Sequence, residues 1–371
     1  MKLRKMTTRR NVVLGLSSLG AGIAAGALRS GPAARAQPAP AIPKGTALTV
    51  STWGGITEDS VRRFILPEFE RATGAKLAFD IGGQGGRFNK LLAQRAKPPA
   101  DVFFSTDEAV IAGHRQGVLL PARRKNIPNL SELYDWALTI KTDGSDTVPG
   151  VPYALLSMVI SYNPQLVADK PTGWSDLWRP EFKDRLVMPS PLNSLMPEVL
   201  TISNELAGGT QADFSPGFKK LAELRPVKAS VFWTDWASLN KTGEVVIAPE
   251  FDYYIETMKA QGYAIDYIMP KEKAIAAPEY ISIVKGTANP ELAEYFLDLS
   301  LSQKAQEAFA VESFQGPTNR NVVLTGDAAR KCAYGPKIEQ LRFFDAAPFV
   351  DARPMWTERF NIEVLPKWQR S

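Results

Sequence analysis

Along the chain, short apolar runs alternate with stretches in which apolar residues recur at helical spacing, the pattern of an α/β protein with mainly parallel strands. Residues 48–52 predict a strand that ends at Trp53-Gly54-Gly55. Thr57 then offers a helix cap, Glu58 and Asp59 place acids in the first turn, and Val61, Phe64, Ile65 and Phe69 form a buried stripe. Gly74 stops this helix and Pro67 bends it. The alternation continues through a strand over 76–81, a helix over 87–95 and a strand over 101–104 that opens onto Ser105-Thr106-Asp107. Because ligands sit outside the carboxyl ends of strands in open α/β sheets, Trp53-Gly54-Gly55, the 82–86 loop and Ser105-Thr106-Asp107 should share one rim.

A long apolar segment over 151–163 reads as a chain crossing from one lobe to another, and 280–284 as the return. Between them lie a strand over 186–188, a helix near 195–207, a strand over 245–248, a helix over 253–261 and a strand over 264–269, enough for a second α/β unit. Asn289-Pro290-Glu291 opens a further helix with a buried stripe of Leu292, Tyr295, Phe296 and Leu299. The division expected is a leader over 1–36, the first part of lobe 1 over 37–150, lobe 2 over 151–277, a return to lobe 1 over 278–327 and a C-terminal helical section over 328–371.

Charge changes the picture once it is placed along the chain. The 371 residues carry 44 Lys plus Arg against 39 Asp plus Glu, but seven of the bases and none of the acids fall in residues 1–36. The rest carries −2, so the basic balance belongs to the leader and no nucleic-acid partner is expected. That leader has a basic start, an uncharged Gly/Ala/Leu/Val stretch and Ala34-Arg35-Ala36, which fits export and cleavage after Ala36. Thr8-Arg9-Arg10-Asn11-Val12-Val13 resembles a twin-arginine signal. No later stretch is apolar enough to span a membrane, so the mature chain is expected in the periplasm without a transmembrane segment.

Composition also limits the chemistry. One cysteine, Cys332, and one histidine, His114, exclude an internal disulfide and a Cys/His zinc site of four protein ligands. Neither has a sequence context that marks it as catalytic; His114 reads as a solvated helix histidine. The loop Gly82-Gly83-Gln84-Gly85-Gly86-Arg87 fits no nucleotide-binding template and reads as a tight strand-to-helix turn needing positive φ. No catalytic residue, metal or cofactor is expected. Acidic and aromatic residues instead gather at Glu250, Phe251, Asp252, Tyr253 and Tyr254 and at Pro278-Glu279-Tyr280. Carboxylates at strand ends with aromatic faces close by suit an ammonium ligand. Tyr253 is the better ligand candidate of the two tyrosines, Tyr254 being as readily a core residue.

Ala100-Asp101-Val102-Phe103-Phe104-Ser105-Thr106, Val151-Pro152-Tyr153 with Tyr162-Asn163, Trp174-Ser175-Asp176-Leu177-Trp178, Gly243-Glu244-Val245-Val246-Ile247 and Gly316-Pro317-Thr318-Asn319 occur in an order that resembles the extracytoplasmic solute-binding proteins of ABC importers. The resemblance is to the branch that holds spermidine/putrescine-binding and ferric-ion-binding proteins. It implies a type II periplasmic binding protein: two α/β lobes, each a mainly parallel sheet flanked by helices, joined by crossing strands and closing on a small-molecule solute by hinge motion. It also implies a partner permease in the inner membrane, a monomeric state, and a binding rather than an enzymatic role.

On the first lobe the resemblance points to Trp53, Gly54, Ser105, Thr106 and Asp107 as substrate-binding residues. Asn193, Ser194, Glu250, Asp252, Tyr253 and Glu279 complete the set on the second lobe and at the return crossing. Two departures stand out: residues 189–194 read Pro-Ser-Pro-Leu-Asn-Ser where polyamine binders offer carboxylates, and Ala277-Pro278-Glu279 replaces Trp-x-Asp. A cationic or amine-bearing, polyamine-like solute is the expectation. The alternatives are a ferric-ion or aminophosphonate binder, a sensory subunit of the same fold, and a periplasmic hydrolase using Glu250 and Glu279.

Overall fold

The computed structural model describes residues 38–43, 45–138, 140, 146–230 and 233–369, with backbone alone at 233 and 234. The leader and its twin-arginine motif lie outside the described residues.

Three parallel strands organise the first lobe: Ala47–Thr52 pairs with Lys76–Ile81 on one side and Val102–Thr106 on the other. Leu48, Val50, Val102 and Phe104 project from one face and bury against Val61, Ile65, Phe69, Phe296 and Phe309 from the helices that cover it. The alternation of one strand residue in and the next out follows from the period of two. The first helical stretch runs as Ile56–Ser60, a π-helical turn Val61–Ile65, and Leu66–Thr73. The expected bend is thus absorbed upstream of Pro67, which sits in the first turn of the last piece, where its missing N–H costs nothing.

Two long strands carry the chain between the lobes. Every residue of Val151–Tyr162 is buried, and it pairs antiparallel with Ala274–Val284. At about 3.3 Å per residue the longer strand spans roughly 40 Å, enough to reach from one core to the other. Val151, Tyr153 and Ala154 belong to the first core, Met158, Ile160 and Tyr162 to a second. The second strand divides likewise, with Ile281 and Ile283 in the first core and Ile275 in the second. The register shifts between Glu279 and Tyr280, next to Pro278, which supplies no ladder donor. The ladder is therefore interrupted where the two cores part.

In the second lobe Ile247–Phe251 pairs antiparallel with the first crossing strand. The strands Val187–Pro189 and Lys228–Ser230 pair parallel and join through a parallel bridge between Leu186 and Ile247. Hydrogen bonds thus link strands of both halves into one ten-stranded sheet, the crossing pair forming its middle. What separates the lobes is packing, each half having its own buried cluster. The C-terminal helix Ala347–Glu363 sends Phe349, Trp356 and Phe360 into the second core.

Two sequence expectations change here. The helix after the second strand begins at Gln84, inside the glycine loop, and Gly83 caps it at φ −65°. None of Gly82, Gly83, Gly85 and Gly86 has positive φ, so left-handed backbone is not what these glycines supply. His114 is half-buried with Nε2 2.7 Å from the Pro149 carbonyl oxygen. Burial lowers its pKa, so it is a packed histidine and not a solvated one.

Candidate functional site

Around the parting of the two cores, two carboxylates flank the same strand. Glu279 stands opposite Ala154 of the first crossing strand and, on its other side, opposite Thr106. Glu250 stands opposite Val159 on the far edge of that strand. Both are buried. Glu279 accepts a short hydrogen bond from the Tyr153 hydroxyl, and Glu250 accepts one from the Phe251 N–H at 2.8 Å. Burial pushes the Glu279 carboxyl up to about 7, opposed by the Tyr153 hydroxyl and the Arg87 charge. Burial likewise pushes Glu250 up to about 7, opposed by the Phe251 N–H alone.

Two tyrosines lie near these acids. Tyr253 and Tyr254 open the helix Asp252–Ala260 with ring centroids 4.0 Å apart. Tyr254 is acted on by both carboxylates, and its phenol pKa is raised by its burial first. Tyr253 is raised for the same reason, then by the neighbouring Tyr254 and Glu279. Neutral phenols beside neutral or weakly held carboxyls can donate and accept, and present π faces to a cation.

On the first lobe the same neighbourhood is floored by Arg87, 1% exposed. Its Nε donates to the Gly82 carbonyl at 2.8 Å, and its Nη1 to the carbonyls of Ser51 and Phe104, each at 3.0 Å. One guanidinium thereby ties the carboxyl ends of all three parallel strands. It lies 5.0 Å from the Trp53 ring centroid and 4.9 Å from that of Phe103. Burial lowers its pKa to about 10, so it remains a cation at neutral pH. Gln84 clamps the adjoining strand end, its Nε2 donating to Thr106 Oγ1 at 3.1 Å and its Oε1 accepting from the Thr106 N–H at 2.9 Å. Gly54 lies exposed at the rim, where a Cβ would meet Ile81 Cγ2 at 3.0 Å.

A second acidic group lies where Asp107 and Glu108 open the helix Asp107–Arg115. Arg353, from the C-terminal helix, donates through Nη2 to Glu108 Oε2 at 2.5 Å and to the Ser194 carbonyl at 3.4 Å. Its Nη1 reaches the carbonyls of Pro191 at 3.0 Å and Asn193 at 3.5 Å. Burial raises Asp107 to about 7, with Glu108 adding repulsion. Glu198 is raised well above the ordinary range, first by burial and then by Glu108 and Asp107.

The sequence-derived residues therefore divide. Trp53, Ser105, Thr106, Glu250, Tyr253 and Glu279 adjoin the crossing. Asn193 and Ser194 turn their backbone carbonyls to Arg353, and Asp107 stands beside its partner Glu108. Asp252 goes elsewhere: its oxygens accept from the Ser157 N–H at 3.2 Å, the Ser157 hydroxyl and the Tyr253 N–H at 2.9 Å. Sequence reasoning did not single out Arg87, Tyr153, Glu108, Glu198 or Arg353. For Arg87 a signal existed, since a cation in the first turn of a helix opposes the dipole and calls for a compensating reason.

Among the described residues no group of three or more His, Cys, Asp or Glu is arranged to hold a metal ion. Residues 97–330 match the model of the bacterial extracellular solute-binding protein family. The chain belongs to that family. It is 24% identical to a gamma-aminobutyric acid-binding protein of Pseudomonas aeruginosa over 85% of this chain and 90% of the relative. It is 26% identical to a putrescine/cadaverine-binding protein of the same organism over 66% of this chain and 72% of the relative. Among solved structures, an ABC transporter protein of Clostridium perfringens superposes with TM-score 0.73 at 25% identity, covering 85% of this chain and 99% of the other. The Atu4243 GABA receptor superposes with TM-score 0.72 at 19% identity, covering 85% and 97%. The fold is that of a type II periplasmic binding protein, two lobes joined by crossing strands.

Proposed function

We propose that the protein captures a small amine-bearing solute between its lobes, outside the cytoplasm, and delivers it to an ABC permease in the inner membrane. The observation that carries this reading is the state of Glu279 and Glu250. Two buried carboxyls flank one strand, neither forms an ion pair among the described residues, and burial holds both near 7, against the nearby Arg87 charge in the case of Glu279. An ammonium group supplies the missing charge, and the Tyr253–Tyr254 pair supplies π faces for it. Relatives named for putrescine, cadaverine and gamma-aminobutyric acid, all amines, support the same class.

Closure turns on the crossing strands near the Glu279/Tyr280 register shift, and with it goes the lobe division set out from the sequence. Export through the leader's twin-arginine motif, cleavage after Ala36 and a monomeric mature chain belong to the same proposal. Iron is disfavoured because burial raises both tyrosine phenols, against the phenolates it requires. Isothermal titration with putrescine, spermidine, 4-aminobutyrate and ferric citrate tests the reading. Heat on adding at least one amine and none with ferric citrate is expected; affinity confined to an anion without an amine overturns it. A hydrolase would instead show turnover that Glu250→Gln abolishes.

A further inference from the structure

Acids outnumber bases where the two lobes touch. Asp107 and Glu108 open the helix Asp107–Arg115 of the first lobe, and Glu198 stands in the first turn of the helix Met196–Leu206 of the second. Arg353 reaches them from the C-terminal helix, and Met196 and Pro197 line one small crevice with it. That guanidinium serves only part of the group. It binds Glu108 Oε2 and the carbonyls of Pro191, Asn193 and Ser194. Glu108 Oε1 and Glu198 Oε2 are buried with no hydrogen-bond partner among the described residues. Carboxylate oxygens held this way are costly when ionised. Glu198 is repelled by both Glu108 and Asp107, and Asp345, just before the C-terminal helix, turns a further negative charge towards Asp107. Arg115, at the far end of the first-lobe helix, is taken up by Asp351. Burial raises Asp107, Glu108 and Glu198 above the ordinary carboxylate range, Asp107 to about 7.

We infer that this group is a proton-operated latch: the carboxyls of Asp107, Glu108 and Glu198 hold protons between them while the ligand-free lobes are joined, and losing those protons drives the lobes apart. With Asp107 and Glu198 neutral, Arg353 faces one ionised acid, Glu108, and the junction is balanced. Ionising the other two sets three negative charges around one positive in a place with little water. Parting the lobes returns all three carboxylates to solvent, where each is stable. Joining therefore takes up protons. The joined state is favoured fully below the ordinary carboxylate range, and that contribution is lost as pH rises through about 7. Motion is available at the crossing strands, whose ladder shifts register between Glu279 and Tyr280. The latch belongs to the ligand-free chain and sets how readily the cleft opens, so it stands apart from the chemistry of the solute.

Spin labels on Ala96→Cys in the first lobe and Lys219→Cys in the second, both exposed positions, test this in the purified full-length protein without solute. The native Cys332 is fully buried and does not compete for label. Double electron–electron resonance is expected to give a short interlobe distance at about pH 5.5 and a distribution longer by more than about 2 Å at about pH 8.5, the scale of a hinge movement. An identical distribution at the two pH values overturns the latch, with no variant needed. Glu198→Gln, neutral at every pH, is expected to keep the short distance at pH values where the parent has opened. Its Oε2 has no hydrogen bond to lose, so folding should survive. A pH response undiminished by Glu198→Gln refutes the assignment to this group.

Discussion

Arg353 Nη2 lies 2.5 Å from Glu108 Oε2, and the two residues belong to different lobes. Arg353 stands on the C-terminal helix whose rings fill the second core, and Glu108 on a helix that packs against the first lobe's sheet through Ala109. A second tie, between Arg115 and Asp351, joins the same two helices. The C-terminal section thus spans the division as a clasp independent of the crossing strands.

Breaking that clasp should cost stability through the partner left behind. Glu108 Oε1 is already buried without a partner, and Arg353→Met would strand the other oxygen too. A double-mutant cycle with Glu108→Gln, read by denaturant unfolding, is expected to give a coupling of about 1–3 kcal/mol, the low end being favoured by Arg353's partial exposure. Strict additivity of the two single changes would show that the pair contributes nothing.

The buried carboxyls also set a pH dependence. Glu250 and Glu279 stand near 7 in the ligand-free fold, above the ordinary carboxylate range, so they stabilise it fully at low pH and that contribution is lost as pH rises through about 7. The unfolding temperature of the ligand-free protein should accordingly be higher near about pH 5.5 than about pH 8. An ammonium ligand requires the ionised carboxylates, so affinity should climb with pH and level off above about 7, with protons released on binding below it. Titration calorimetry in two buffers of different ionisation enthalpy reads that release directly. Proton uptake, or affinity flat across this range, contradicts the assignment.

Glu279→Gln separates charge from shape. The amide keeps an acceptor for the Tyr153 hydroxyl while removing a carboxyl that burial already disfavours. Stability should hold or rise slightly, whereas affinity for the amine should fall by about tenfold to a hundredfold, the worth of a charge-assisted hydrogen bond. Unchanged affinity would remove Glu279 from the ligand.

How far all this was legible beforehand depends on the distance over which each feature is encoded. The strand ending at Thr52, the crossing segment from Val151 and the helix after Asn289 are written in local periodicity, and each appears within a residue or two of its expected place. Local pattern starts the helix at 87, three residues late, because glycines mark turns, although Gly85 and Gly86 are helical with no need for positive φ. Arg87 gathers carbonyls from three strands, and the Arg353–Glu108 tie spans a sequence separation of 245. Neither has a local pattern, since what makes them is the meeting of distant segments.

Asp252 tests whether strand-end acidity alone marks a ligand residue. It lies two positions from Glu250 and shares its burial, but its environment differs in kind: Ser157 donates to it through both N–H and hydroxyl, and the Tyr253 N–H completes the set. Those bonds pin the middle of the first crossing strand to the start of the Asp252–Ala260 helix, and they leave the carboxylate little capacity for a solute. Asp252→Ala would orphan three buried donors at once. A loss of roughly 2–4 kcal/mol is expected from groups left unsatisfied, visible as a lowered denaturation midpoint. Amine affinity, set by Glu279 and Glu250 on the other neighbourhood, should stay within about twofold. The opposite outcome, full stability with affinity gone, would move Asp252 into the groove and make its bonds to Ser157 dispensable.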